Sequence, residues 1–365
     1  MIEIPQFVPS FGAEEADALQ KYMSTGGFLT EFKQTEEFER QIAFYTGSRH
    51  AVVVNNGTIS LIAMLMVLGV KAGDEVIVPN FTMIATPNSV LAVGAKPVLV
   101  DVEMDSLCID LELVKKAVTD KTKAVLFVNA NGRFPTYQIE ELVTFLEKKG
   151  IVFLEDAAQG LGSFYPNGKH VGTVGLMGSF SFSVPKIITT GQGGCIVTND
   201  SGVAEKIRRL KDFGRSKGGI DIHDTVGYNF KFTDLQAVIG IAQMTKLSAR
   251  VVRKREIWSR YNQNLLDHPD IKLFSHNLEF TTPWFIDLEV KYGSRDELKT
   301  HLQNVGIQTR VMYPPVHLQK AYNYVGEFPI STGIGQNGLW LPSSSQLTNP
   351  EIDRISDAIH AWKAN

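Results

Sequence analysis

Lys186 is the first residue whose surroundings suggest chemistry. It follows the predicted strand 179–183 and precedes a turn rich in threonine and glycine at 187–194. Among apolar and small residues the charged form of a lysine is disfavoured, and the neutral amine is the better nucleophile. The alternative for a single lysine is a side chain that extends from a strand end into solvent. The pattern makes Lys186 a candidate for forming a Schiff base.

Asp156 is the second candidate, because it comes directly after the apolar run 152–154 and Glu155. A carboxylate at the end of a buried strand can keep a ring nitrogen protonated, since a nearby negative charge favours the positive form. Aspartate at a strand-to-helix junction also commonly caps the helix. The sequence by itself leaves both interpretations open.

The segment 55–60, Asn-Asn-Gly-Thr-Ile-Ser, is the third candidate, between an apolar strand and a helix. Free backbone N–H groups, the Thr58 hydroxyl and the positive end of the helix dipole suit a phosphate group. An ordinary helix cap is the alternative. The segment lacks the Gly-Lys-Ser/Thr ending of a Walker loop, and 191–194 is not a dinucleotide fingerprint.

These three features together match one cofactor. A Schiff-base lysine, a carboxylate for a pyridinium nitrogen and a phosphate cradle are the groups that pyridoxal phosphate chemistry needs. They occur in the order cradle, aspartate, lysine along the chain. We therefore expect pyridoxal 5'-phosphate to bind here.

Alternating strands and helices are predicted up to about residue 245. The predicted strands are 51–54, 75–78, 97–101, 124–128, 152–154, 179–183 and 195–198, and the predicted helices include 60–70, 110–118 and 139–149. Several strands are continuous apolar runs, which is typical of strands covered on both faces. This rhythm predicts an α/β fold with a mostly parallel sheet and ligands at the carboxyl ends of its strands.

The rhythm changes in the last third of the chain. A long helical segment, 233–266, is followed by a strand at 284–290, a helix at 295–305, a strand at 307–312 and a final helix at 350–362. The length of 365 residues also suits two domains. We predict a large α/β domain at 1–245 and a small α+β domain at 246–365.

Composition limits the partners and the compartment. Lys and Arg total 36 against 39 Asp and Glu, so no basic field favours nucleic acid or an anionic membrane. Cys108 and Cys195 are far apart and form no Cys/His cluster, which predicts free thiols and no metal site. The start lacks signal-peptide features, and the apolar run 61–70 is shorter than the ~20 residues of a membrane span. We expect a cytoplasmic protein.

Ordered motifs along nearly the whole chain resemble the nucleotide-sugar aminotransferases of the DegT/DnrJ/StrS group. The matching segments are 24–30 with 38–39, 56–58, 73–79 with 81–82, 155–159, 168–172, 180–182 with Lys186, 227–231 and 310–314. The resemblance implies an aspartate-aminotransferase-like fold (PLP fold type I). Its large domain has a mixed, mostly parallel sheet beside a smaller α+β C-terminal domain.

The resemblance also implies roles around the cofactor ring. Lys186 would form the Schiff base and move the proton between Cα of the donor and the cofactor. Asp156 would hold the pyridinium N–H, and Gln159 would lie near the phenolate side. Met83 stands where the family usually has an aromatic residue stacked on the ring, and a thioether can pack on a ring face as well.

Phosphate binding and assembly follow from the same resemblance. Thr58, the backbone of Ile59 and Ser181 would bind the cofactor phosphate. Asn229 would reach that phosphate from the neighbouring subunit, which implies a homodimer with shared active sites.

Substrate expectations come from the stretch 186–194. It resembles enzymes such as perosamine synthases, which aminate C4 of a 4-keto-6-deoxyhexose nucleotide, whereas C3-aminating relatives more often carry Lys-Asn-Leu-Gly. Glutamate is the usual amino donor of the family, and surface-polysaccharide sugar synthesis is its usual context. The candidate substrate residues are Thr30, Lys169, Arg310, Tyr313 and His317. A solvated turn for Lys169 and a packed residue for His317 are the alternatives.

Three alternatives to this substrate remain open. The departures at Met83, at 129–133 and at Phe32, where the family commonly has Gly, leave room for an unusual acceptor. That acceptor would be a C3-keto sugar nucleotide or a small ketone such as an inosose or a phosphorylated triose. A non-catalytic PLP-binding regulatory protein is the remote alternative. A family minority with His at the lysine position acts as dehydratases, and Lys186 argues against that activity.

Overall fold

A mixed seven-stranded sheet dominates the first two thirds of the chain. The computed structural model describes residues 3–216 and 219–363. The strands are β1 (His50–Val54), β2 (Glu75–Pro79), β3 (Lys96–Val100), β4 (Thr122–Val128), β5 (Val152–Asp156), β6 (Met177–Ser181) and β7 (Gly194–Thr198). Their order is β1-β7-β6-β5-β4-β2-β3, and β7 runs antiparallel to both of its neighbours while the pairs from β6 to β3 are parallel.

Helices cover both faces of this sheet. They are α1 (Ala13–Ser24), α2 (Lys33–Thr46), α3 (Gly57–Leu68), α4 (Ala85–Ala92), α5 (Leu111–Ala117), α6 (Ile139–Lys149), α7 (Ser201–Lys211) and α8 (Asp234–Met244). One core packs around Phe38, Phe127 and Phe180, and the other around Leu65 and Leu154. Because both faces are covered, β2 and β7 are buried along their whole length, which explains their continuous apolar sequences.

The strand directions bring the predicted motifs to one place. Strands β1, β2, β4, β5 and β6 all end at the same edge, at Val54, Pro79, Val128, Asp156 and Ser181. We call this the carboxyl edge. The segments after these strands therefore converge, although they are far apart in sequence.

A second, antiparallel sheet belongs to the last third of the chain, in the order β10-β11-β9-β8. Its strands are β8 (Ile271–Leu273), β9 (Ile286–Val290), β10 (Arg310–Val311) and β11 (Gly338–Leu341), and its helices are α9 (Leu247–Leu265), α10 (Arg295–Asn304), α11 (Pro329–Asn337) and α12 (Asn349–Ala361). The predicted α/β class, with a mixed, mostly parallel sheet and a smaller α+β part, is confirmed. The boundary at 245/246 stays a prediction.

Two element predictions need correction. The predicted helical segment 233–266 is interrupted between α8 and α9, where Lys246 pairs with Glu14 and Glu15 of α1. The predicted strand 307–312 is reduced to the two residues of β10. Among the helices of the described residues, none is long and apolar enough to cross a membrane.

Candidate active site

Six of the predicted site residues line one cavity of about 240 Å³ at the carboxyl edge. They are Thr58, Met83, Asp156, Gln159, Ser181 and Lys186. They come from the ends of β1, β2, β5 and β6 and from the turn after β6. The structure therefore brings together the three features that the sequence places far apart.

The start of α3 forms the floor of a narrow cradle. Asn56 caps the helix, and its Oδ1 accepts a hydrogen bond from the Ile59 N–H at 2.9 Å. A Cβ added to Gly57 would lie 2.9 Å from Cβ of Ser181, and one added to Gly194 would lie 2.3 Å from the Asn56 carbonyl oxygen. Glycine is therefore required at both positions for this close approach.

The cap changes one detail of the predicted phosphate binding. The Ile59 N–H already donates to Asn56, so a phosphate would have to compete with the cap for it. The amides of Gly57 and Thr58, in the first turn of the helix, have no acceptor within the helix. Together with the hydroxyls of Thr58 and Ser181, these amides are the suitable donors for an anion.

Asp156 also lines the cavity and is only 6% exposed. Its Oδ2 accepts from the Thr86 hydroxyl at 2.7 Å, and its Oδ1 accepts from the Ala158 N–H at 3.2 Å. Thr82 in turn hydrogen-bonds to Thr86, at 2.9 Å between the two hydroxyl oxygens. Burial raises the pKa of Asp156, whereas these hydrogen bonds and the charge of Lys186 lower it. A cation beside this buried carboxylate, such as a protonated ring nitrogen, would stabilise its charged form.

Glu155, the next residue along β5, has a different environment. It is fully buried, and its carboxylate accepts hydrogen bonds from the Tyr165 hydroxyl and the N–H groups of Gly172, Val174 and Gly175. Because neighbouring side chains of a strand point to opposite faces, Glu155 faces away from the cavity. Its hydrogen bonds instead hold the loop 172–175 against β5. Burial raises its pKa as well.

Lys186 follows β6 in a turn whose first hydrogen bond joins its N–H to the Ser183 carbonyl at 3.0 Å. Burial lowers the pKa of its amine to about 8; the charge of Asp156 opposes this shift and the charge of Arg310 adds to it. A lysine with this pKa is a far better nucleophile near neutral pH than a lysine in water.

The stretch 129–133 connects the two sheets. The Asn131 N–H donates to Oε1 of Gln159 at 2.7 Å, and the Asn131 side chain exchanges two hydrogen bonds with the backbone of Phe285, at 2.8 and 2.7 Å. Arg133 is 3% exposed and binds the Asp287 carboxylate through two nitrogens, at 2.8 and 2.6 Å. The sequence pattern does not reveal this connection, because Phe285 and Asp287, around the start of β9, are 154 positions away from Asn131 and Arg133.

The remaining predicted residues lie outside the cavity lining. Thr30, Lys169 and Asn229 are exposed, and Arg310 is exposed with its guanidinium 5.6 Å from the Trp340 ring centroid. Tyr313 packs edge-on against the same ring, at 4.7 Å between centroids. His317 is half-buried and bonded to Asn80.

The residue after Lys169 is a packed histidine. His170 is 1% exposed, and its Nε2 accepts from the Gly162 N–H at 3.0 Å while its Nδ1 donates to the Val171 carbonyl. Burial lowers the pKa of His170 to about 4. Both ring nitrogens are engaged within the fold, so this side chain has no free atom for a ligand.

The cavity fits the predicted cofactor by three independent criteria: a glycine-dependent cradle with free amides, a buried carboxylate that favours a cationic partner, and a lysine with a lowered pKa. In a sheet of this topology they define a pyridoxal-phosphate enzyme of the aminotransferase type. The model of the DegT/DnrJ/EryC1/StrS aminotransferase family matches residues 9–360, and the chain belongs to this family. The protein is thus an aminotransferase with pyridoxal phosphate as its cofactor, which confirms the predicted class and cofactor.

Similar proteins extend over the whole chain. The GDP-perosamine synthase of Vibrio cholerae is 34% identical over 363 residues, and that of Escherichia coli O157:H7 is 32% identical over 361 residues, with 98% of each chain covered in both cases. Among solved structures, DesV of S. venezuelae matches with a TM-score of 0.92 and 32% identity over 99% of both chains. The PLP-form of Spr1654 from Streptococcus pneumoniae matches with a TM-score of 0.92 and 28% identity, over 99% of this chain and 98% of that one.

Proposed function

We propose that this aminotransferase moves an amino group from glutamate to C4 of a nucleotide-linked 4-keto-6-deoxyhexose. The observation that carries the transfer itself is the meeting of Lys186, Asp156 and Thr58 at one cavity. The choice of C4 is supported by the stretch 186–194 and by the two relatives named GDP-perosamine synthase.

The residues of the cavity divide the work. Pyridoxal phosphate, when bound, supplies an electron sink for the carbon that loses its proton. Asp156 keeps the proton on the ring nitrogen, because its buried carboxylate stabilises a positive charge beside it. The amine of Lys186, with a pKa of about 8, is partly neutral near neutral pH and takes the proton from Cα of the donor. Thr58 and Ser181 bind the phosphate and fix the orientation of the ring.

Product analysis tests the position of amination. Holoenzyme is incubated with glutamate and, in parallel, with 4-keto and 3-keto sugar nucleotides, and the amino carbon of each product is located by NMR. The proposal requires an amine at C4 from a 4-keto-6-deoxyhexose nucleotide. An amine formed only at C3 would contradict the proposal and would make a C3-keto sugar nucleotide the acceptor. Turnover of a small ketone alone, with no competition by nucleotides, would contradict the proposal and would make a small ketone the acceptor.

A homodimer with shared active sites is the proposed assembly. Asn229 is exposed and lies outside the cavity of its own chain, and the residues before it present the exposed apolar side chains Ile222, Val226 and Tyr228. Exposed apolar groups this close together favour burial against another protein surface. In the proposed dimer, Asn229 of one chain reaches the phosphate cradle of the other.

Hybrid dimers test this sharing. Lys186→Ala and Asn229→Ala each remove one part of the site, so each variant alone is expected to be nearly inactive. In a mixed dimer, one site receives both wild-type residues, because Lys186 comes from one chain and Asn229 from the other. Mixing the variants under refolding or co-expression should restore up to about a quarter of wild-type activity, from statistical assembly of the mixed dimer. No recovery in mixed dimers isolated with two different tags would contradict shared sites.

A further inference from the structure

The amine of Lys186 lies against an aromatic ring that has no part in the proposed cofactor site. Nζ is 4.1 Å from the centroid of the Trp284 ring, within the range of a cation–π interaction. Trp284 is 6% exposed and comes two residues before β9. The lysine that follows β6 of the large sheet thus contacts a side chain that comes just before β9 of the second sheet.

The Trp284 ring is held firmly in this position. Its Nε1–H donates to the carbonyl of Pro185 at 2.7 Å, which ties the indole to the residue directly before Lys186. Its face stacks on Phe285 at 3.9 Å between centroids, and Trp340 packs edge-on at 6.0 Å. The backbone of Phe285 is in turn clamped by Asn131. Because the indole is held by these contacts, it offers a preformed surface and loses no side-chain freedom of its own when the amine docks.

Two charged groups act on the amine of Lys186 in addition to the π-face of Trp284. The carboxylate of Asp156 on β5 attracts the positive amine, whereas the guanidinium of Arg310 on β10 repels it. Tyr313 interacts electrostatically with both Asp156 and Arg310. Arg310 lies over the neighbouring indole, Trp340, so each of the two positive groups rests on its own ring. The π-face of Trp284 therefore opposes both burial and Arg310 in their effect on the amine.

We infer that Trp284 is a docking site for the amine of Lys186 while that amine is not bound to the cofactor. This rests on the proposed role of Lys186 as the lysine that binds the cofactor and moves the proton. Docked on the indole, the amine stays within reach of the cavity and can hold the proton that it has taken, instead of turning away into solvent. Trp284 acts through Lys186 and is a positioning residue.

The pH dependence of Lys186 labelling tests this inference. Full-length protein freed of cofactor is treated with 1-fluoro-2,4-dinitrobenzene across a pH series, and the Lys186 peptide is quantified by mass spectrometry. Because the indole favours the charged amine, Trp284→Leu should lower the apparent pKa of Lys186 by about 0.5–1, and Trp284→Phe by less. Trp362→Leu, which removes an indole from the core of the smaller part, is the matched control and should leave the pKa unchanged.

Turnover provides a second readout. The glutamate half-reaction should slow in Trp284→Leu while KM for the nucleotide sugar stays the same, because the variant changes proton transfer and not sugar binding. A labelling curve of Lys186 that is the same in wild type, Trp284→Leu and Trp284→Phe would overturn the inference. If Trp284→Leu does not fold, the Phe variant decides, since it keeps an aromatic ring in the same space. The labelling needs neither cofactor nor sugar, so its outcome is independent of whether the proposed acceptor is correct.

Discussion

Two regions of opposite chemical character meet at the amine of Lys186. The carboxyl edge contributes polar groups that include a helix start, three hydroxyls, a carboxylate and an amine. The second region, which we call the aromatic wall, lies outside the cavity lining and contacts Lys186 through Trp284. It consists of Trp284, Phe285, Tyr313 and Trp340, whose rings contact one another. In the proposed mechanism, the carboxyl edge supplies the reacting and charged groups, and the aromatic wall supplies the surface on which the amine of Lys186 docks.

The largest expected effect comes from removing the reacting group of the edge. Lys186→Ala should lower turnover by at least about 10³–10⁴-fold, because both the amine nucleophile and the proton carrier are lost. The absorbance of lysine-bound cofactor should vanish with it. Lys123→Ala, at an exposed position of β4, is the control and should behave like wild type in both measurements. Substantial turnover by Lys186→Ala would assign the chemistry to another residue.

The buried ion pair between Arg133 and Asp287, which connects the two regions, should have the next largest effect. Arg133→Met leaves the carboxylate of Asp287 buried without its partner, which should cost about 3–5 kcal/mol of the free energy of unfolding. Adding Asp287→Leu should recover much of this loss, since no buried charge then remains. Chemical denaturation measures both variants.

A surface ion pair gives the matched control for that buried pair. Arg260→Met breaks the pair with Asp353, whose two side chains are 37% and 39% exposed, and should cost less than about 1 kcal/mol. Equal losses in Arg133→Met and Arg260→Met would mean that breaking the buried pair costs no more stability than breaking an exposed one, which would contradict this prediction.

Asp156 and Glu155, two neighbouring carboxylates on β5, are expected to differ in role: Asp156 supports turnover, whereas Glu155 supports stability. Asp156→Asn should lower turnover by about 10²-fold with little change in stability, because the ring nitrogen loses its charged partner. Glu155→Gln should instead cost about 1–3 kcal/mol of the free energy of unfolding, because its amide cannot accept all the bonds that the carboxylate accepts. Turnover per folded molecule and thermal unfolding distinguish these outcomes. A reversed pattern would exchange the two roles.

The carboxyl edge is predictable from sequence for a physical reason. Asp156 and Ser181 are the last residues of buried strands, and Thr58 and Met83 follow the ends of two others, so local motifs already specify the groups that parallel strands bring together. Even there, the Asn56 cap on Ile59 and the hydroxyl of Thr86 on Asp156 depend on side-chain directions that no motif encodes.

The aromatic wall is not predictable in this way. Trp284 contacts Lys186, 98 positions earlier in the chain, only because Asn131 and Arg133 fix the start of β9 against the large sheet. The interruption between α8 and α9 likewise depends on Lys246 pairing with Glu14 and Glu15 of a distant helix, and the local sequence continues the helical pattern through it. Contacts of this kind require the tertiary structure.

The absorbance of the bound cofactor, followed through one complete cycle, tests the proposed nucleotide-sugar substrate directly. Glutamate alone should abolish the band of the lysine-bound form in the wild-type holoenzyme. A 4-keto-6-deoxyhexose nucleotide, added after removal of glutamate, should restore it, while 3-keto sugar nucleotides and small ketones should not. A band that glutamate bleaches and that only a small ketone restores would contradict the proposed nucleotide-sugar substrate.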